Sequence, residues 1–181
     1  MSASDDLAAT PLHPLTRAIH WFTVLAIVVL FIAVLVGADL EDPAQKKPLI
    51  ALHQSLGLSV LLLNGLRLLW RWRMPLRSLI ADPLKRRIGH ANHLLVYALL
   101  LAQPLLGWLY VSARGREVAL WGLPLPALIA KDRALAEQVH DWHALGGWLL
   151  LALVGLHAAA ALYHHYVLRD GVLRRMLTGR P

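Results

Sequence analysis

Four apolar stretches, each long enough to cross a bilayer as a helix, constrain this chain more than any other feature of its sequence. They run over residues of about 20–38, 49–70, 93–113 and 143–168, and a helix needs about 20 residues to span the hydrocarbon. Leu, Ala and Val dominate all four, with neither the alternation of a strand nor the polar stripe of a soluble amphipathic helix. Only 16% of the 181 residues are charged, against about 25% in an average soluble domain, which argues against a soluble enzyme or nucleic-acid-binding domain. The expectation is an all-α, integral membrane four-helix transmembrane bundle, with residues 1–181 forming a single domain in a lipid bilayer. The connecting segments are short. The longest, Arg114 to Asp141, is broken by Gly122, Pro124 and Pro126, with a short surface helix expected over Lys131 to Gln138.

Orientation follows from the basic residues at the helix ends. One side carries Arg17, Arg71, Arg73, Arg77, Lys85, Arg86, Arg87, Arg169, Arg174, Arg175 and Arg180, eleven in all; the other carries six, Lys46, Lys47, Arg114, Arg116, Lys131 and Arg133. Basic loops are retained in the cytoplasm, so both termini of this multi-pass chain are expected there. Val36-Gly37-Ala38 has the small residues of a signal-peptidase site. The preceding apolar run of 18 residues exceeds the roughly 7–15 of a signal peptide, and its loss would reverse the charge bias, so the segment reads as a retained span.

Ten histidines and no cysteine are the chemical anomaly. An ionisable side chain inside a span is costly and is read first as functional. His143 and His157 share the fourth stretch at a spacing of 14 residues, which is about 21 Å of helix and about 40° short of four full turns. They therefore share a face near opposite sides of the hydrocarbon. Entering from the cytoplasm, the first stretch begins at His20; entering from outside, the second carries His53 near its start. Two level pairs result, His20 with His157 and His53 with His143. Each draws one imidazole from each of two helices, as a flat macrocycle held between helices requires. A porphyrin iron with two axial imidazoles fits, and without cysteine it is b-type, because covalent c-type attachment is excluded.

Gly57 and Gly147, one turn beyond the outer histidines, and Ala161 beyond His157 leave room for a ring plane, whereas Val24 follows His20. Arg67, 14 residues past His53, shares its face at the inner depth and suits a haem propionate. A lone membrane histidine also serves simply as a hydrogen-bonding link between helices; the matching of four at two depths argues against that reading here. His13, His90, His93 and His140 are expected at the membrane ends in contact with solvent, and Met176 lies too near the tail for an axial ligand.

The stretches Ala18-Ile19-His20-Trp21, Leu52-His53-Gln54-Ser55-Leu56-Gly57 and Gly155-Leu156-His157-Ala158-Ala159-Ala160-Ala161-Leu162-Tyr163-His164-His165-Tyr166 resemble the bacterial di-haem cytochrome b561 family of the inner membrane. The resemblance covers nearly all the chain after the first dozen residues. It implies four helices and two non-covalent b haems on the four histidines that spacing singles out. Some members are superoxide oxidases, which take electrons from superoxide outside and pass them through both haems to ubiquinone.

A small-anion donor calls for local positive charge near the outer haem, for which Lys46, Lys47, Arg114 and Arg116 are candidates. The same side carries seven acidic residues, so ordinary solvated loop charges are the plainer reading of each. Quinone reduction takes up protons in an apolar slot with a polar mouth. His164, His165 and Arg71 are candidates there, against the alternative of an interfacial anchor belt. The function expected from the sequence is electron transfer from superoxide to ubiquinone without an obligate protein partner. The alternative is a cytochrome b subunit linking a partner dehydrogenase or hydrogenase to the quinone pool. A histidine-lined transporter is disfavoured because no span carries a carboxylate, the usual partner of hard cations.

Overall fold

In a computed structural model, which describes residues 11–73, 80 and 82–180, the four apolar stretches form four long helices. These are α1 (Pro14–Asp39), α2 (Pro43–Arg73), α3 (Pro83–Ala113) and α4 (Arg133–Tyr163). Arg77, counted above among the basic residues of one side, lies outside the described residues, as do Asp5 and Asp6.

Each helix is longer than its apolar stretch because polar caps start it before the hydrocarbon begins. Pro14, Pro43 and Pro83 occupy first-turn positions, where a missing N–H loses nothing. The Asp82 carboxylate accepts from Leu84 and Lys85 N–H, and that of Asp132 accepts from Leu135 N–H. These caps satisfy donors that the first turn leaves without intrahelical partners. One sequence expectation changes accordingly: the segment expected as a separate surface helix is the start of α4. Ahead of the second apolar stretch, α2 has already begun at Pro43 and continues through Pro48.

The helices run antiparallel in sequence order: α1 packs on α2, α2 on α3, and α3 most extensively on α4. Among the described residues α4 makes no comparably extensive backbone contact with α1 or α2. Side chains bridge that separation. A small apolar core of Ala26, Ile27, Val60, Leu100 and Leu150 lies mid-bundle, while Leu25, Val28, Ile32, Leu62 and Leu66 are exposed on the outer faces. An exposed apolar exterior with a thin core is what a bilayer solvent permits.

Two further elements close the ends. Between α3 and α4 an antiparallel hairpin, β1 (Val118–Leu120) and β2 (Leu123–Leu125), pairs Val118 with Leu125 and Leu120 with Leu123. Its turn residues Trp121 and Gly122 both have positive φ, 52° and 87°, as a two-residue hairpin turn requires. After α4 a π-helical turn (His164–Leu168) leads through Arg169 and Gly171, both at positive φ, into α5 (Val172–Thr178). Helix α5 folds back on the start of α1: Arg17 donates to the Met176 and Leu177 carbonyls, Trp21 Nε1 to the Met176 carbonyl at 3.2 Å, and Leu12 N–H to the Gly179 carbonyl at 2.8 Å. One end of the bundle is thus the hairpin end and the other the tail end.

Candidate functional site

The four histidines form the two pairs that spacing suggested. The rings of His20 (α1) and His157 (α4) have their centroids 6.2 Å apart, and those of His53 (α2) and His143 (α4) 6.1 Å apart. Two imidazoles binding one metal ion from opposite sides, each through a bond of about 2.0 Å, place their ring centroids a little over 6 Å apart. Both pairs have that separation. Both also join helices whose backbones stand apart.

The pair nearer the hairpin end is held by the neighbouring backbone. His53 Nδ1–H donates to the Leu30 carbonyl of α1 at 3.0 Å, and His143 Nδ1–H donates to the Gln103 carbonyl of α3, also at 3.0 Å. A carbonyl only accepts, so in both neutral rings the proton sits on Nδ1 and the free lone pair on Nε2. That fixes tautomer and ring direction together. Helix α3 admits the His143 ring because residue 107 is glycine: a Cβ there would stand 3.3 Å from His143 Cε1. Gly146 makes room for the Gln103 amide, which would have to move aside for a Cβ there. Gln103, Gly107 and Gly146 were not singled out from the sequence. By contrast, a Cβ at Gly147 would meet nothing within 4 Å, and one at Gly57 only Leu30 Cδ2 at 4.0 Å.

The pair nearer the tail end opens on a cavity of about 250 Å³ between α1, α2, α3, α4 and α5. Its lining includes His20, His157, Arg67, Arg71, His93 and Tyr97. Arg67 Nη2 lies 3.4 Å from His20 Nδ1, and its guanidinium carbon stands 5.2 Å from the Tyr97 ring centre. Arg67 Nε is buried without a hydrogen-bond partner, a donor left for an acceptor of another molecule. Arg71 donates to Tyr97 Oη at 3.0 Å. His93 is exposed, as expected, and also reaches the inner pair: it lies one turn before Tyr97, and its ring centre is 5.0 Å from that of His157. His90 lines the same cavity.

His13 caps α1 through its Nδ1 and sits 5.2 Å from the Trp70 ring, and His140 is 5.3 Å from the Tyr110 ring; both are exposed, as expected. His164 pairs through Nδ1 with the Asp170 carboxylate, and His165 lies against Tyr166 at 4.8 Å. Neither lines the cavity; Arg71 does. At the hairpin end Arg114 shares a cavity of about 240 Å³ with Tyr110, Glu137, His140 and Asp141. Its charge is therefore set against two carboxylates. Lys46 and Lys47 lie in the first turns of α2, and Arg116 is exposed beside the hairpin.

Comparison with known proteins identifies the family. Residues 12–179 match the family profile described as prokaryotic cytochrome b561. A probable superoxide oxidase CybB of Yersinia pestis is 30% identical over 164 residues, covering 88% of this chain and 91% of that protein. Cytochrome b561 homolog 2 of Escherichia coli (strain K12) is 29% identical over 169 residues, covering 90% and 89%, and homolog 1 of the same organism 28% over 168 residues, covering 90% and 94%. With four membrane-length helices and a profile match over almost its whole length, the chain belongs to the prokaryotic cytochrome b561 family, and is a multi-pass bacterial membrane electron-transfer protein of a family that binds haem b.

Proposed function

We propose that the whole chain is one di-haem domain that takes electrons from superoxide at the hairpin end and delivers them to ubiquinone. The observation that carries the two-haem reading is the equal separation of two histidine pairs, 6.2 and 6.1 Å, at two levels of one bundle. His20 and His157 would hold the inner haem iron, His53 and His143 the outer one. Haem b, when bound, supplies an iron that gains and loses one electron at a time. The chain's own residues do the rest. Leu30 and Gln103 hold the outer imidazoles with Nε2 free. An imidazole that binds through Nε2 carries its proton on Nδ1 and accepts nothing there. Arg67, a donor only, would hold a propionate carboxylate, the acceptor its unpartnered Nε calls for.

The donor assignment draws support from the whole-length likeness to a protein named a probable superoxide oxidase. Two superoxide ions lose one electron each and leave as oxygen. One quinone takes both electrons and two protons from water-accessible groups and leaves as quinol. The basic bias of the tail end supports termini in the cytoplasm and superoxide on the periplasmic side. In purified protein, a superoxide generator is expected to accelerate reduction of a short-chain ubiquinone, with added superoxide dismutase abolishing the gain. No acceleration, in protein carrying two low-spin b haems, would overturn the donor assignment and favour a subunit that depends on a partner dehydrogenase. Protein that binds no haem would overturn the site itself.

A further inference from the structure

The segment from Val118 to Ala130 has 13 residues and no charge among them, although it connects two spans on a side where water is expected. Its tip does not point away from the bundle. Trp121 N–H donates to Ser55 Oγ at 3.1 Å, Trp121 Nε1–H donates to Ser59 Oγ at 3.0 Å, and Ser55 Oγ donates to the Ala119 carbonyl at 3.5 Å. Ser55 lies six residues beyond Leu49, the first residue of the apolar stretch of α2, or about 9 Å farther along the helix. Ser59 is another turn deeper.

Ser55, Ser59, Leu62 and Leu66 follow one another at i, i+4, i+7 and i+11, a single stripe of α2. Leu62 and Leu66 are 57% and 61% exposed, so in a bilayer this stripe faces acyl chains. The two serines are its polar members, and the hairpin covers them: Ser55 is buried. Trp121 and Leu123 at the tip are each 62% exposed and continue the apolar surface of Leu62 and Leu66. Backbone in such a place needs internal partners. The strand pairing supplies them, Ser55 takes the Trp121 N–H, and Leu128 N–H bonds Ser112 Oγ at 3.1 Å. Trp121 holds an αL backbone rarely adopted by a bulky residue, and two serine contacts secure it there.

We propose that β1–β2 is a re-entrant hairpin that folds back along the lipid-facing stripe of α2, with Trp121 and Leu123 in contact with the acyl chains of the leaflet at the hairpin end. The exposed apolar tip is then a membrane surface, not a docking site for a soluble partner.

The chain has no cysteine, so Leu123→Cys gives a single attachment point for an environment-sensitive fluorophore. Lys47→Cys, at the exposed start of α2, gives the aqueous reference. In liposomes, the probe at residue 123 is expected to emit at shorter wavelength and to be quenched several-fold more by acyl-brominated phospholipid than by aqueous iodide, with the order reversed at residue 47. Stronger quenching by iodide at residue 123 would overturn the proposal in favour of a hairpin standing in water. Resistance to both quenchers, with energy transfer between labelled copies, would overturn it in favour of a second copy covering the tip. Adding Ser59→Ala to the labelled chain should at least double iodide quenching while the helical circular dichroism is unchanged. No change would show that the serine does not hold the tip.

Discussion

His143 takes its direction from α3: its Nδ1–H reaches the Gln103 carbonyl, and its Cε1 lies 3.3 Å from where a Gly107 Cβ would stand. Gly107→Val therefore pushes the ring off its line toward His53. Overpacking of this kind costs about 1–3 kcal/mol, and the expected readout is loss or spectral change of the outer haem with the inner one retained. Gly146→Ala displaces the Gln103 amide, the far end of a flexible side chain; a modest fall in the Tm of the purified protein is expected. His157→Ala should reduce the pyridine haemochrome count from two per chain to one. Loss of both haems together would show that the levels are not independent. Arg67→Met should lower the midpoint potential of the inner haem alone, because a nearby cation favours the reduced, less positive iron. The histidines themselves were legible in the sequence because an imidazole in a hydrocarbon span stands out by its energetic cost. Gln103, Gly107 and Gly146 were not, because glycine and a lone amide are ordinary in such helices until a neighbour is placed against them.

Helix α5 has seven residues, too few to hold itself together in water, where isolated helices shorter than about 12 residues are marginal. It persists because Arg17 and Trp21 of α1 bond carbonyls of its last turn, where helical carbonyls have no intrahelical partner. The pairing also seats Val172, Arg175 and Met176 on the cavity that holds His20 and His157. Arg17→Ala combined with Trp21→Phe removes these bonds at about 1–2 kcal/mol, enough to speed hydrogen exchange of residues 172–178 roughly tenfold while leaving α1 to α4 protected. Unchanged exchange would mean that apolar contacts alone seat the helix. The element boundaries show where sequence reading reaches its limit. Apolar composition locates the hydrocarbon-spanning part of each helix, but Pro14, Pro83 and Asp132 start the helices outside it. That difference puts His90, ahead of the apolar stretch, inside α3.

The molecule is asymmetric in charge: among the described residues at the helix ends, the tail end carries ten basic residues and the hairpin end six. If retention of basic loops sets its orientation, green fluorescent protein fused after residue 181 will fluoresce and alkaline phosphatase fused there will be inactive. The reverse result would place the donor side in the cytoplasm and undo the proposed direction of electron flow. The sequence alone determined the number of spans, the sign of the end-to-end charge bias and the 14-residue rise that separates His143 from His157. All three follow from properties read along the chain: hydropathy over about 20 residues, counts of Lys and Arg, and a rise of about 1.5 Å per residue. Only the tertiary structure decided which faces meet. Rotation and tilt of one helix against another brought His93 to within 5.0 Å of His157, set Gly107 under His143, folded an uncharged loop back onto two serines and seated the tail against α1. Such contacts depend on shape complementarity between distant segments, which no local pattern of apolar residues specifies.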